Sequence, residues 1–343
     1  MAEVRRYQVK SDAANRLILE LLDVAGVPLD RRGLYQQLLI TVLKLNDDEA
    51  LVGDLRIAAT ALKELRYAYK VFAPYRYVRK VTVFGSARTS PSELAARAAR
   101  AFGRRMVEEG WMVITGAGEG IMGAAQEGAR GEQSFGLNIR LPFEQEANAW
   151  IASDPKLITF KYFFTRKLFL VKEASALALL PGGFGTMDEA FEVLTLMQTG
   201  KAAIIPMVMI EAGSQPYWSR WEEWVRGTLI AQGLIHECDP SFYRIVGSVE
   251  EAVQEVTRFY RVYHSARIVG ENLVFRLHGP LTPAALESIQ HGFADILKGA
   301  LQQVMGPIRR ERAEFPELPR LVLPFNRTSY ARLRELIDVV NLV

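Results

Sequence analysis

Apolar residues in the first part of the chain recur at helical spacing. Residues 13–24 and 33–44 carry them every third or fourth position, and residues 50–72 continue the pattern through Leu51, Leu55, Ala58, Leu62, Leu65 and Tyr69. Pro74 breaks it. From Lys80 the pattern changes to short apolar runs of strand length alternating with amphipathic stretches. It predicts strands over 81–84, 111–114, 135–139, 157–160, 176–180 and 203–210, and helices over 91–109, 121–130, 164–172, 187–198 and 217–231. A helical pattern over 249–263 follows, then strand 272–277, helix 283–305, strand 320–324 and helix 329–339.

Repeated strand–helix alternation predicts an α/β fold, a Rossmann-like doubly wound parallel sheet with helices on both faces. We divide the chain into an N-terminal helical region (1–75), the Rossmann-like nucleotide-binding domain (76–263) and a small C-terminal α/β appendage (264–343). The apolar faces of the first region are expected to pack on the main domain or on a second subunit.

In such a sheet, ligands bind at the carboxyl ends of the strands. One stretch fits that place closely. The apolar run Ala174 to Leu180 leads into Pro181-Gly182-Gly183-Phe184-Gly185-Thr186-Met187-Asp188-Glu189, with a helical pattern behind it. Bare backbone N–H groups at the positive end of a helix suit an anion. Thr186 is placed to cap the helix or to bond a phosphate oxygen. Glu189 has two readings: Thr186-Met187-Asp188-Glu189 matches a capping box, in which the carboxylate returns to the cap N–H, and a catalytic role is equally compatible with the spacing.

A second glycine loop, Gly116 to Gly123, contains Gly118, Gly120 and Met122 and matches the dinucleotide fingerprint. Its context speaks for a mononucleotide instead. The loop follows the second strand of the domain, and the next strand ends at Asn138-Ile139-Arg140 without the acidic residue that holds ribose hydroxyls. A third turn, Gly85-Ser86, would converge on the same crevice. There a phosphate would take N–H groups of Gly183 and Gly185 and the Thr186 hydroxyl, with Ser86 and the Gly116 loop along the sugar or base.

The nine-residue stretch resembles the PGGxGTxxE motif of the LONELY GUY (LOG) family, cytokinin-activating phosphoribohydrolases long misnamed lysine decarboxylases. The resemblance takes in Gly85-Ser86, the glycine run, Phe163-Phe164-Thr165-Arg166-Lys167 and Thr195, and covers roughly residues 78 to 262. It implies hydrolysis of a nucleoside 5′-monophosphate to free base and ribose 5-phosphate, as in an AMP nucleosidase. It also implies catalysis by Arg166 and Glu189, substrate contacts from Lys167, Thr195 and either Glu144 or Glu146, and a homodimer or higher homo-oligomer. Without it, Arg166 and Lys167 read as an exposed basic pair, Glu144 and Glu146 as a solvated loop, and Thr195 as a packing threonine. Nothing marks a pyridoxal phosphate lysine with its ring and phosphate partners. The rival is a carrier or sensor of the same fold that binds a nucleotide without turning it over.

Composition narrows the rest. A formal charge of +3 over 343 residues, with no long Lys/Arg run, gives no reason to expect nucleic acid as a partner. The Arg309, Arg310 and Arg312 stretch reads as solvated surface. No apolar segment is long enough for a membrane, and charged residues near Met1 without an apolar core behind them predict a cytoplasmic protein. With Cys238 alone and four scattered histidines, no disulfide, metal or other cofactor is expected.

Overall fold

The computed structural model describes residues 7–141, 146–213, 215–311 and 314–342. Its helices and strands fall into two compact units that divide after Arg66.

The first unit holds α1 (Asp12–Val24), α2 (Leu29–Asp47) and the start of α3 (Val52–Phe72). Ser11 caps α1, its hydroxyl accepting from the Ala14 N–H at 3.2 Å. Ile18, Leu22 and Ile40 form a small buried cluster, while Leu17, Leu21, Leu34 and Leu38 remain exposed.

The second unit is built on seven parallel strands: β1 (Lys80–Phe84), β2 (Met112–Thr115), β3 (Ser134–Ile139), β4 (Leu157–Phe160), β5 (Ala176–Leu179), β6 (Met207–Ile210) and β7 (Tyr243–Val246). Their spatial order is β4-β3-β2-β1-β5-β6-β7, the doubly wound arrangement. A parallel sheet needs cover on both faces, and β1, β2, β3, β5 and β6 are buried along their whole length. On one face α4 (Leu94–Glu108), α5 (Ile121–Ala129) and α9 (Val249–Arg258) pack Ala99, Phe102, Ala125, Val253 and Val256 on Val81, Val83, Val113 and Ala178. On the other face, α6 (Phe163–Lys172) sits over β1, its Leu170 carbonyl accepting the Thr82 hydroxyl at 2.8 Å. Phe72, at the end of α3, stacks on Phe135 at 4.4 Å and on Phe169 at 6.0 Å. Each such ring contributes about 1.5–3 kcal/mol by leaving water. α7 (Phe184–Gln198) and α8 (Trp218–Trp224) complete the layer.

An antiparallel four-stranded sheet follows, in the order β10-β11-β9-β8, from β8 (Tyr263–Val269), β9 (Asn272–Leu277), β10 (Gln302–Met305) and β11 (Pro319–Leu323), with α10 (Pro283–Gly292) and α11 (Tyr330–Val340). It is tied to the core within the same unit. The Asn341 amide oxygen accepts from the N–H groups of Val262 and Tyr263, and the buried Arg334 pairs with Glu255 at 2.8 Å.

The alternation is as the sequence predicts, with local departures. Residues 217–231 are not one α-helix: α8 stops at Trp224 and the turns widen to a π-helix over Val225–Ile230. The helix expected over 283–305 ends at Gly292, because a short 3-10 turn and Gly299 intervene and β10 takes the following residues. The chain leaves α9 at Arg258 and reaches β8 by Tyr263, where the helical pattern continued on paper. No described helix is long and apolar enough to cross a membrane.

Candidate active site

The strand order reverses at β1. The chain runs outward from β1 to β2, β3 and β4 on one side and begins again with β5 on the other, so the loops after β1 and β5 part and leave a crevice. A cavity of about 660 Å³ opens there.

Three loops form it, and Ser86 joins them. Its N–H donates to the Pro181 carbonyl at 3.1 Å, its carbonyl accepts from the Ile121 N–H at 3.0 Å, and its hydroxyl accepts from the Arg88 N–H at 3.1 Å. Such close approach requires bare backbone. A β-carbon on Gly182 would stand 2.1 Å from the Thr186 hydroxyl oxygen, and one on Gly120, at φ +65°, would stand 2.4 Å from the Ser86 carbonyl. Gly183 and Gly185 face open space instead.

Gly183 is the N-cap of α7 and no side chain caps it. The helix therefore starts at Phe184, three residues before the predicted start, and Thr186 lies inside the first turn with Glu189 in the second. The capping box is not formed. Both residues are buried; the Thr186 and Met187 N–H groups donate to the Gly183 carbonyl at 3.1 and 3.2 Å, and Gly183, Phe184 and Gly185 at the start of α7 line the cavity.

Glu189 is 6% exposed, and its Oε2 is buried with no hydrogen-bond partner. Burial pushes its carboxyl up to about 7, with Lys167 and Arg166 holding it down and Glu192 and Asp188 adding to the rise. A buried polar atom without a protein partner costs free energy, so a ligand group or water is the expected mate of this oxygen. Arg166, on α6, reaches across the sheet ends. Its Nε donates to the Leu137 carbonyl at 2.6 Å and a terminal nitrogen to the Gly116 carbonyl at 3.4 Å. Burial lowers its pKa while the charge of Glu189 raises it, and a guanidinium so placed remains cationic.

The cavity brings together Gly85, Ser86, Gly116, Met122, Arg166, Gly182, Gly183, Gly185, Thr186 and Glu189. Gly118 and Gly120 lie behind this wall: the Gly118 carbonyl accepts the Asn148 amide at 2.9 Å. Lys167 and Thr195 line a neighbouring hollow with Phe164 and Phe191. There Lys167 is engaged by Asp188 at 2.7 Å and Glu192 at 2.5 Å, and the Thr195 hydroxyl donates to the Phe191 carbonyl at 2.8 Å. Glu146 is exposed and does not line the cavity; Glu144 lies outside the described residues.

Some lining residues escaped sequence reasoning. The Tyr217 hydroxyl donates to the Gly182 carbonyl, bracing the glycine turn from a loop with no motif of its own. Arg88 adds a cation, and Phe163 and the exposed Phe184 add apolar surface. Asn148 lies two residues beyond Glu146 in a stretch with no motif to single it out. Its buried amide donates to the Ala117 and Gly118 carbonyls at 3.1 and 2.9 Å and to Gln126 at 2.7 Å, pinning the second glycine loop.

Residues 122–256 match the family described as "Possible lysine decarboxylase". The chain is 27% identical over 126 residues to the "Probable cytokinin riboside 5'-monophosphate phosphoribohydrolase LOG4" of Oryza sativa subsp. japonica, across 36% of this chain and 54% of that protein. It thus spans about half the length of the curated relative it matches. Among solved structures, it is similar to the structural-genomics target TM1055 (22% identity, TM-score 0.37, 53% of this chain and 99% of that one). It is also similar to the molybdenum cofactor carrier protein of Chlamydomonas reinhardtii (19%, TM-score 0.38, 53% and 97%) and to DNA processing protein A of Helicobacter pylori (12%, TM-score 0.37, 52% and 80%).

Proposed function

We propose that this LOG-like chain hydrolyses the N-glycosidic bond of a nucleoside 5′-monophosphate to free base and ribose 5-phosphate. The observation that carries the reading is Glu189: a buried carboxyl with an unpartnered oxygen, poised near neutrality, on the wall of a crevice that also holds the open N-terminus of α7 and the Arg166 guanidinium.

The 5′-phosphate binds at the N–H groups of the Gly183–Gly185 turn and the Thr186 hydroxyl, with Arg88 as a further cation at the mouth. This places the ribose toward Glu189. Cleavage of the C1′–N bond builds positive charge on the sugar, which the Glu189 carboxylate stabilises; the same carboxylate accepts a proton as water adds to C1′. The departing base takes the bonding electrons and a proton from solvent, and Glu189 then returns the proton of the attacking water to solvent, so the net reaction adds water across the C1′–N bond. Arg166, fixed by two backbone carbonyls, orients the ribose hydroxyls and balances charge on the leaving base. Phe163, Phe184 and Met122 offer apolar surface for a planar ring. Lys167 acts on Glu189 from outside the cavity, through charge.

The test is incubation of the purified protein with AMP, GMP, CMP, UMP, IMP and a prenylated AMP, following free base and ribose 5-phosphate by chromatography, with Glu189→Gln alongside. Release of base, lost in the variant, supports the reading. Tight nucleotide binding with no release from any substrate replaces it with a carrier or sensor.

A further inference from the structure

A second cavity, of about 230 Å³, lies at the far end of α7 from the crevice, between the turn that follows that helix, strands β8 and β9, and α11. Its interior is apolar: Ile204, Tyr263, Phe275, Leu333 and Ile337 are all nearly or wholly buried. Its rim is cationic, with Lys201, Arg267 and Arg327, and no Asp or Glu is among its described lining residues.

These cations are lightly engaged. Lys201 is exposed and makes no ion pair among the described residues. Arg327 is exposed and donates to the Gly270 carbonyl at 2.7 Å, while among the described residues Arg267 forms an ion pair only with Glu314, at 3.4 Å, whose side chain is 56% exposed. Tyr330 forms part of the wall, its ring filling the space that a side chain at Gly200 would need.

We propose that this cavity binds a small amphiphilic anion, a carboxylate on a short aliphatic or aryl body. At about 30 Å³ per water molecule in the liquid, the volume suits a ligand of about eight heavy atoms. The apolar interior takes the body and the cationic rim takes the carboxylate. A sugar or nucleotide is disfavoured, since its hydroxyls and ring nitrogens would be buried against carbon with nothing to bond. The proposal does not depend on the chemistry of the crevice.

The test is calorimetric titration of the full chain with hexanoate, 3-phenylpropanoate and neutral hexanamide. Saturable binding of a carboxylate is expected, with hexanamide clearly weaker. Binding should weaken about tenfold in the double variant Lys201→Glu, Arg327→Glu, since the charge of two exposed rim cations is reversed. It should vanish in Ala266→Phe, which fills the cavity. Should that variant fail to fold, the double variant of exposed residues carries the test alone. No saturable carboxylate binding, hexanamide binding as tightly as hexanoate, unchanged affinity after charge reversal, or light scattering that shows a second copy closing the cavity would each overturn the proposal.

Discussion

Arg166 occupies space that exists only because residue 116 is glycine: a β-carbon there would stand 2.2 Å from a guanidinium nitrogen and 2.8 Å from the Met122 sulfur. The carbonyl of the same glycine accepts from that guanidinium. Gly116→Ala should therefore leave the sheet intact and push Arg166 aside. With a displacement of about 1 Å costing up to about 100-fold in rate, kcat should fall by one to two orders of magnitude with little change in Tm. Steady-state kinetics on the best nucleotide, with circular dichroism, checks this. An unchanged kcat would remove Arg166 from the chemistry.

Tyr217→Phe deletes the hydroxyl that holds the Gly182 carbonyl and little else. The turn proposed to hold the phosphate should loosen, raising KM about fivefold for about 1 kcal/mol of lost bonding and leaving kcat near its original value. Equal loss in both constants would argue that the hydroxyl touches the reacting sugar instead.

Glu189 makes the pH dependence specific. Burial pushes its carboxyl up to about 7 in the ligand-free chain, against an ordinary value of 4.5, so kcat/KM should rise with pH through about 7 as the carboxylate forms. For stability the sign runs the other way. The folded state holds this proton more tightly than the unfolded chain, so the contribution is present below about 4.5 and is lost as pH rises through about 7. Glu189→Gln should thus have a higher Tm than the parent at pH 8 and nearly the same Tm at pH 5, measured by calorimetry. A lower Tm for the variant at pH 8 would show that the carboxylate is well solvated.

Asn148→Ala removes one amide that serves the carbonyls of Ala117 and Gly118 and the Gln126 side chain. The Ala117 carbonyl keeps the main-chain N–H of residue 148 at 2.9 Å, so the loss falls on the Gly118 carbonyl and the Gln126 side chain; buried acceptors deprived of a donor cost about 1–3 kcal/mol, and Tm should fall by several degrees. Nucleotide binding should weaken as well, because Met122 and Gly116 belong to the loop that Asn148 pins. A fully stable variant would mean that water replaces the amide.

The alternation of apolar runs with amphipathic stretches was enough to read the doubly wound sheet, because a strand buried on both faces is mostly apolar, with few polar positions such as Thr82 and Asn138 to blur the signal. The glycine turns were legible for a related reason: bare backbone at a strand end has few other uses. What escaped is carried by contacts between distant parts of the chain. Tyr217 reaches Gly182 across thirty-five residues with no local pattern to mark it. Glu189 was ambiguous because the cap register turns on where a helix begins, and a glycine cap at Gly183 moved that start by one turn. Lys167 and Thr195 sit beside catalytic candidates in sequence or on the same helix, yet helical geometry turns them toward a neighbouring hollow. β7 and β8 are short or only half-buried, and so carried a weak pattern.

Ser86 meets Pro181 and Ile121 through its main chain. What the fold asks of this position is thus a count of residues rather than a kind of residue. Exchanging the serine for another small side chain should be tolerated by the architecture, whereas inserting or deleting one residue between Phe84 and Arg88 would unfasten both glycine turns at once. Engineering that lengthens loops to change ligand preference has room elsewhere around the crevice, and none at this knot.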